Sequence, residues 1–172
     1  MPQPFILTAK LPEHIHLWAD ELRKEHFPPE RNHLHAHVTL FHSFAPSLLE
    51  ELKGFVPQIV REFSAPEAEI IGLLDLGKGT AIRLHSPGLL NIRALIAEHF
   101  HGALTDQDLH EPRPHITVQN KVSKEEARAL QAELAPELEQ RSFTFPGLEL
   151  HRYLGGPWEF VKGFPFRGKS RA

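Results

Sequence analysis

The sequence has no cysteine among its 172 residues. That excludes disulfides, thiolate zinc sites, iron–sulfur clusters and a cysteine nucleophile together. It has no basic excess either: 19 Lys and Arg stand against 22 Asp and Glu, a net charge of -3 with histidine neutral. A chain that grips long stretches of duplex phosphate needs the opposite balance. No apolar run approaches the roughly 18–20 residues of a membrane helix. Met1 to Leu11 also lacks the basic-then-apolar pattern of a secretory leader. These absences predict a cytoplasmic protein with no membrane partner. The length predicts one domain over residues 1–172, and 41% hydrophobic residues are enough for a sizeable core. The basic tail Arg167–Ala172 reads as a frayed end.

What the sequence does have is histidine, 13 of 172 residues. Histidine titrates near neutral pH and is the commonest metal ligand. The question is which of them do chemistry.

Apolar spacing and turn residues predict the elements. Strands are expected at Phe5–Leu11, His33–Ser43, Glu69–Leu74, Thr80–His85, Pro114–Val122, Phe143–Tyr153 and Glu159–Phe166. Helices are expected at Glu13–His26, Pro46–Phe63, Pro87–Phe100 and Ser123–Leu138, with Pro57 kinking or splitting the second. Ser123 and Glu126 form a capping box, and Asp75–Gly79 is a hairpin signal.

Written this way the chain repeats itself. A strand, Pro12, a helix ending Glu25-His26-Phe27, a loop and a strand with His37-Val-Thr39-Leu are followed by a helix. The second half has a strand, Pro87, a helix ending Glu98-His99-Phe100, a loop, a strand with His115-Ile-Thr117-Val and a helix. The spacing, about 75–80 residues, is too long for a solenoid repeat. It predicts two related halves about a pseudo-two-fold axis, with the two motif strands meeting at a central cleft.

Residues two apart on a strand point the same way. His37 and Thr39 therefore share a face, with Val38 and Leu40 in the core. Arg113, His115, Thr117 and Gln119 share the other, with Ile116 and Val118 opposite. Two histidines across a cleft suit phosphoryl chemistry, one removing a proton from the attacking oxygen and one protonating the leaving oxygen. The two threonines supply neutral donors to the non-bridging oxygens. This chemistry needs no cofactor and no metal.

These motifs resemble the paired signatures of the 2H phosphoesterase superfamily, in its bacterial 2′-5′ RNA ligase-like branch, over nearly the whole chain. The resemblance implies a bilobal α+β fold with antiparallel sheets lining a central cleft and helices outside. It implies 2′,3′-cyclic phosphodiesterase activity on RNA ends or nucleotides, or formation and cleavage of 2′-5′ linkages. By motif, His37 and His115 are then the acid–base pair and Thr39 and Thr117 the phosphate-holding hydroxyls. Similar enzymes leave a 2′-phosphate, which assigns the acid to His37 and the base to His115. The second motif continues Gln119-Asn120-Lys121 where the family often has a small residue and an arginine. The expected partner is an RNA 3′ end or a cyclic nucleotide bound by a monomer.

Other readings stay open on the residues alone. His33, His35 and His37 alternate and offer a three-histidine site for a zinc-dependent hydrolase. A degenerate member that binds RNA ends or nucleotides without turnover is another. Arg113 leads the strand-borne cations Arg83, Arg113, Lys121 and Arg152 as a phosphate contact, because it shares the face of His115. Phe41, on the face of His37, and Tyr153 or Trp158 are stacking candidates. Gly72–Gly79 nearly matches a phosphate-binding loop, but Gly79 stands where a hydroxyl is needed and a strand follows. His14, His16, His26, His99, His101 and His110 have no repeated partners and read as structural.

Overall fold

The computed structural model describes residues 3–172; Met1 and Pro2, which open the stretch read for a leader, lie outside them. In chain order the strands are β1 (Phe5–Lys10), β2 (Val38–Phe44), β3 (Glu67–Asp75), β4 (Thr80–His85), β5 (His115–Gln119), β6 (Ser142–Thr144), β7 (Gly147–Tyr153) and β8 (Trp158–Pro165). The helices are α1 (Glu13–His26), α2 (Leu49–Glu62), α3 (Pro87–His99) and α4 (Lys124–Leu134).

β1 is buried from Phe5 to Ala9 on both faces, as an interior strand must be, and it pairs antiparallel with β2 and β7. The first sheet runs β2-β1-β7-β8 and the second β5-β4-β3-β6. Read from the motif strand, both sheets place an outer strand, then its helix-linked predecessor, then two more. The duplication legible in the sequence is thus a pseudo-two-fold axis, and the outer strands β2 and β5 touch each other.

Both motif strands break their ladder at the same place. Thr8 faces Thr39, and the next pair is Leu7 with Phe41, so Leu40 is an extra residue. Ala81 faces Thr117, and the next pair is Thr80 with Gln119, so Val118 is an extra residue. Such bulges reverse the alternation beyond them. Phe41 is therefore wholly buried, packed on Phe44 at 4.9 Å, and does not share the face of His37. Gln119 is likewise turned inward, where it accepts the Thr80 hydroxyl at 3.0 Å.

Five further expectations are corrected. The tail read as a frayed end is tied to the end of α2, with the amides of Arg167, Gly168 and Ser170 donating to the carbonyls of Val60, Phe63 and Glu62. The strand expected from His33 begins only at Val38, because the Asp20 carboxylate takes the Ala36 amide and the His37 ring takes the His35 carbonyl. Residues 143–153 are two strands in different sheets, since the Phe145 amide turns to the Pro66 carbonyl and Pro146 has none to give. α2 runs unbroken through Pro57, held by the buried face of Leu52, Val56, Ile59 and Val60. α4 stops at Leu134, and a single 3-10 turn follows over Ala135–Glu137. The Ser123 cap and the Asp75–Thr80 turn form as expected, with Gly77 at φ +83° and its amide donating to the Asp75 carboxylate.

Candidate functional site

His37 and His115 sit at the start of the two motif strands and are anchored in the same way. The Nδ1 of His37 lies 2.8 Å from the His35 carbonyl, and the Nδ1 of His115 lies 2.7 Å from the Arg113 carbonyl. A carbonyl only accepts, so each Nδ1 carries the hydrogen and each Nε2 is left free. In both halves the partner is the backbone two residues upstream. Thr39 and Thr117 are half-buried on the same strands, and among the described residues neither hydroxyl is engaged in a hydrogen bond within the protein.

Two hollows flank the motif strands. The larger, about 590 Å³, is walled by Thr8 and Lys10 of β1, residues 33–37, His16, and Glu149, His151, Trp158 and Phe160; His37 opens into it. The smaller, about 260 Å³, contains His115 with Arg113, His42, Arg93 and Asp108. The indole of Trp158 stands 4.6 Å from the His37 ring, so it is the stacking surface next to the motif. Tyr153 is exposed at the far end of β7.

Burial pushes the His37 imidazole down to about 4. The His35 carbonyl opposes that shift, while the positive charge of Arg23 and the nearby His151 and His115 add to it. Burial also lowers His151, whose Nε2 lies 3.2 Å from the Thr8 hydroxyl.

The cations divide. Arg113 is exposed beside His115, and Arg83 lies across the ladder from it. Arg152 is paired with Glu159, and Lys121 is exposed at φ 63° in the turn after β5. Two arginines that sequence reading missed are buried instead. Arg23, on α1, donates to the Thr117 carbonyl at 2.8 Å, and Arg93, on α3, reaches the Leu40 carbonyl at 3.4 Å. Each helix belongs to one half and holds the motif strand of the other, at the bulge where an outer strand has carbonyls to spare. Asp108 adds a third tie, accepting the amides of His42 and Ser43 at 2.9–3.0 Å. No periodic signal marks these residues. Glu149 and His151 had a faint one, being polar on one face of an otherwise apolar strand.

His33, His35 and His37 do not converge as a ligand set: the Nδ1 of His37 is committed to a carbonyl, and that of His35 points to Asp20, at 2.8 Å. Among the described residues His99 stacks on Phe55 at 3.7 Å and meets Glu51, a packing role as expected. No helix is long and apolar enough to cross a membrane.

The structure thus places an equally anchored imidazole on the outer motif strand of each half, with His37 opening into the larger hollow and His115 into the smaller in place of the single central cleft expected. No curated protein matches the sequence. Among solved structures, TT0787 of Thermus thermophilus is 17% identical, with 97% of this chain and 100% of that one covered at a TM-score of 0.67. E. coli LigT complexed with 3′-AMP is 16% identical, with 96% and 99% covered at 0.62. A structure described as a phosphoesterase is 17% identical, with 96% and 99% covered at 0.62. These likenesses share the fold. The family model of the 2′-5′ RNA ligase superfamily matches residues 11–157, both motifs included, and so this chain belongs to the 2′-5′ RNA ligase superfamily, the 2H phosphoesterases.

Proposed function

We propose that the protein is a metal-independent 2′,3′-cyclic phosphodiesterase acting on RNA ends or nucleotides. The observation that carries this reading is the matched anchoring of His37 and His115, which leaves one free Nε2 on each of two equivalent, touching strands. Membership of a phosphoesterase superfamily supports it, and so does the binding of 3′-AMP by E. coli LigT.

In the proposed reaction His115 takes a proton from water through Nε2 as its oxygen attacks phosphorus. The P–O3′ bond breaks, and protonated His37 gives its Nε2 proton to the departing O3′, which leaves a 2′-phosphate. Thr39 and Thr117 donate to the non-bridging oxygens, where negative charge concentrates. Trp158 offers a face on which a base stacks. An acid must carry its proton, whereas burial, by pushing His37 down to about 4, favours its neutral form at neutral pH. The phosphate diester supplies the missing negative charge, and its arrival beside Nε2 raises the affinity of His37 for that proton.

The direct test is hydrolysis of a 2′,3′-cyclic nucleotide and of an RNA oligonucleotide with a cyclic end, in excess EDTA. Turnover to a 2′-phosphate, unchanged by the chelator, is expected. Binding without turnover would replace this reading with the nucleotide-binding module, and loss in EDTA would replace it with a metal hydrolase.

The pH profile gives a second test. Activity needs one imidazole protonated and the other neutral, and that form disappears when both become protonated. Because His37 is pushed down to about 4, the acid limb of kcat/KM falls near pH 4 and not near the ordinary histidine value of about 6.5. An acid limb above pH 6 would contradict the burial argument.

A further inference from the structure

One cluster of titratable side chains lies at the rim of the larger hollow and has no part in the proposed chemistry. His16 and Asp20 are one helical turn apart on α1 and so lie on one face of it. His35 meets them from the segment ahead of β2. The Asp20 Oδ2 stands 2.8 Å from the His35 Nδ1 and 3.5 Å from the His16 Nε2. The three ligand atoms all lie within 4.8 Å of one another.

Several features distinguish this trio from a chance surface contact. Asp20 has a side chain only 14% exposed, and its other oxygen accepts the Ala36 amide at 2.7 Å. That bond orients the carboxylate and leaves Oδ2 facing the two rings, as an outer-shell partner does for a metal ligand. A single hydrogen bond would account for one imidazole, yet two ring nitrogens converge on one oxygen. Two imidazoles and a carboxylate are the donor set of open zinc-class sites. Tetrahedral ligands on bonds of about 2.0–2.1 Å stand roughly 3.3–3.4 Å apart, so small ring movements suffice.

We propose that His16 Nε2, Asp20 Oδ2 and His35 Nδ1 form a binding site for a zinc-class divalent cation. His16 and His35 both line the larger hollow, so the ion's remaining positions open towards it. The His35 carbonyl also holds the Nδ1 of His37, so an ion here clamps the residue that anchors that imidazole. The site is separate from the phosphoester chemistry, which proceeds in EDTA if the functional reading holds.

The test uses the intact, metal-stripped protein without substrate, so its outcome is independent of the enzymatic reading. Zn²⁺ is titrated calorimetrically at neutral pH, and the melting temperature is followed with and without the metal. The expected result is one equivalent bound with micromolar or tighter affinity, with a raised melting temperature. D20N and H35A each weaken binding by about tenfold or more and remove the thermal shift, and H16A weakens it as well. H33A, which alters a neighbouring exposed histidine outside the trio, leaves both unchanged. Circular dichroism of each metal-free variant separates lost binding from lost folding. No saturable binding below about 100 µM Zn²⁺ would overturn the site. So would affinity that is unchanged in D20N and H35A, or affinity that depends on His33 in place of His16.

Discussion

Replacing His37 or His115 with alanine lowers the rate of cyclic-phosphate hydrolysis by about 10²–10⁴, the range for a lost acid or base. The fold survives either change, because the one hydrogen bond of each imidazole is to a carbonyl two residues upstream on its own chain segment. The strands are held by other atoms: Val38, Leu40, Ile116 and Val118 are essentially fully buried. Circular dichroism and melting temperature should therefore match the wild type while turnover collapses. The double variant should be little worse than either single one, since acid and base act in the same step and their losses do not add. Full activity in both single variants would remove the histidine pair from the mechanism. Strong loss in one alone would leave the other as a binding residue, which the ratio of kcat to KM distinguishes. Replacing His151, which faces the same hollow, should cost less, because its Nε2 is engaged by Thr8 and it has no counterpart in the other half.

The histidine–threonine repeat was readable because it is local. A two-residue period on a strand, flanked by aliphatics, announces itself twice in one sequence. The four helices and the turn at Gly77 were readable for the same reason, since caps and apolar spacing are short-range signals. The rest depended on distant partners. Nothing near Leu40 or Val118 marks a bulge; each exists because β1 or β4 pairs on both sides of it with no residue to match. The inward turn of Phe41 and Gln119 follows from those bulges, so strict alternation misplaced both. Residues 33–37 look like a strand by alternation alone, but Asp20, on a helix, captures the Ala36 amide and ends the pairing. Arg23 and Arg93 read as ordinary helix-surface cations. Their burial reflects carbonyls exposed on the opposite half, a partner no window of sequence contains.

Asp108 shows how much rests on such ties. It is 1% exposed, and its carboxylate accepts the amides of His42 and Ser43 together with the His42 ring at 3.1 Å. Burial would raise the carboxyl, but the bonds from His42 and Ser43 outweigh it and hold the group below its usual range. Asp108→Ala strips the acceptor from two backbone donors and removes the larger of the two negative charges, those of Asp108 and Glu111, that favour the charged form of the buried Arg93. Uncompensated groups of this kind cost about 3–5 kcal/mol, a large part of the 5–15 kcal/mol that stabilises a typical domain. The variant should melt far below the wild type, or fail to fold at 37 °C. Asp108→Asn keeps the shape and one acceptor, loses the charge and should lie between the two. The pH dependence separates the charge from the packing. A carboxyl lowered on folding stabilises the native state above its unfolded value of about 4 and loses that contribution as pH falls below it. Urea midpoints of the wild type should therefore fall as pH drops from about 5 towards 3, and those of Asp108→Asn should fall less steeply. Parallel slopes would mean that the carboxylate charge adds nothing, and that Asp108 holds the turn over Asp106–Leu109 to β2 by shape alone.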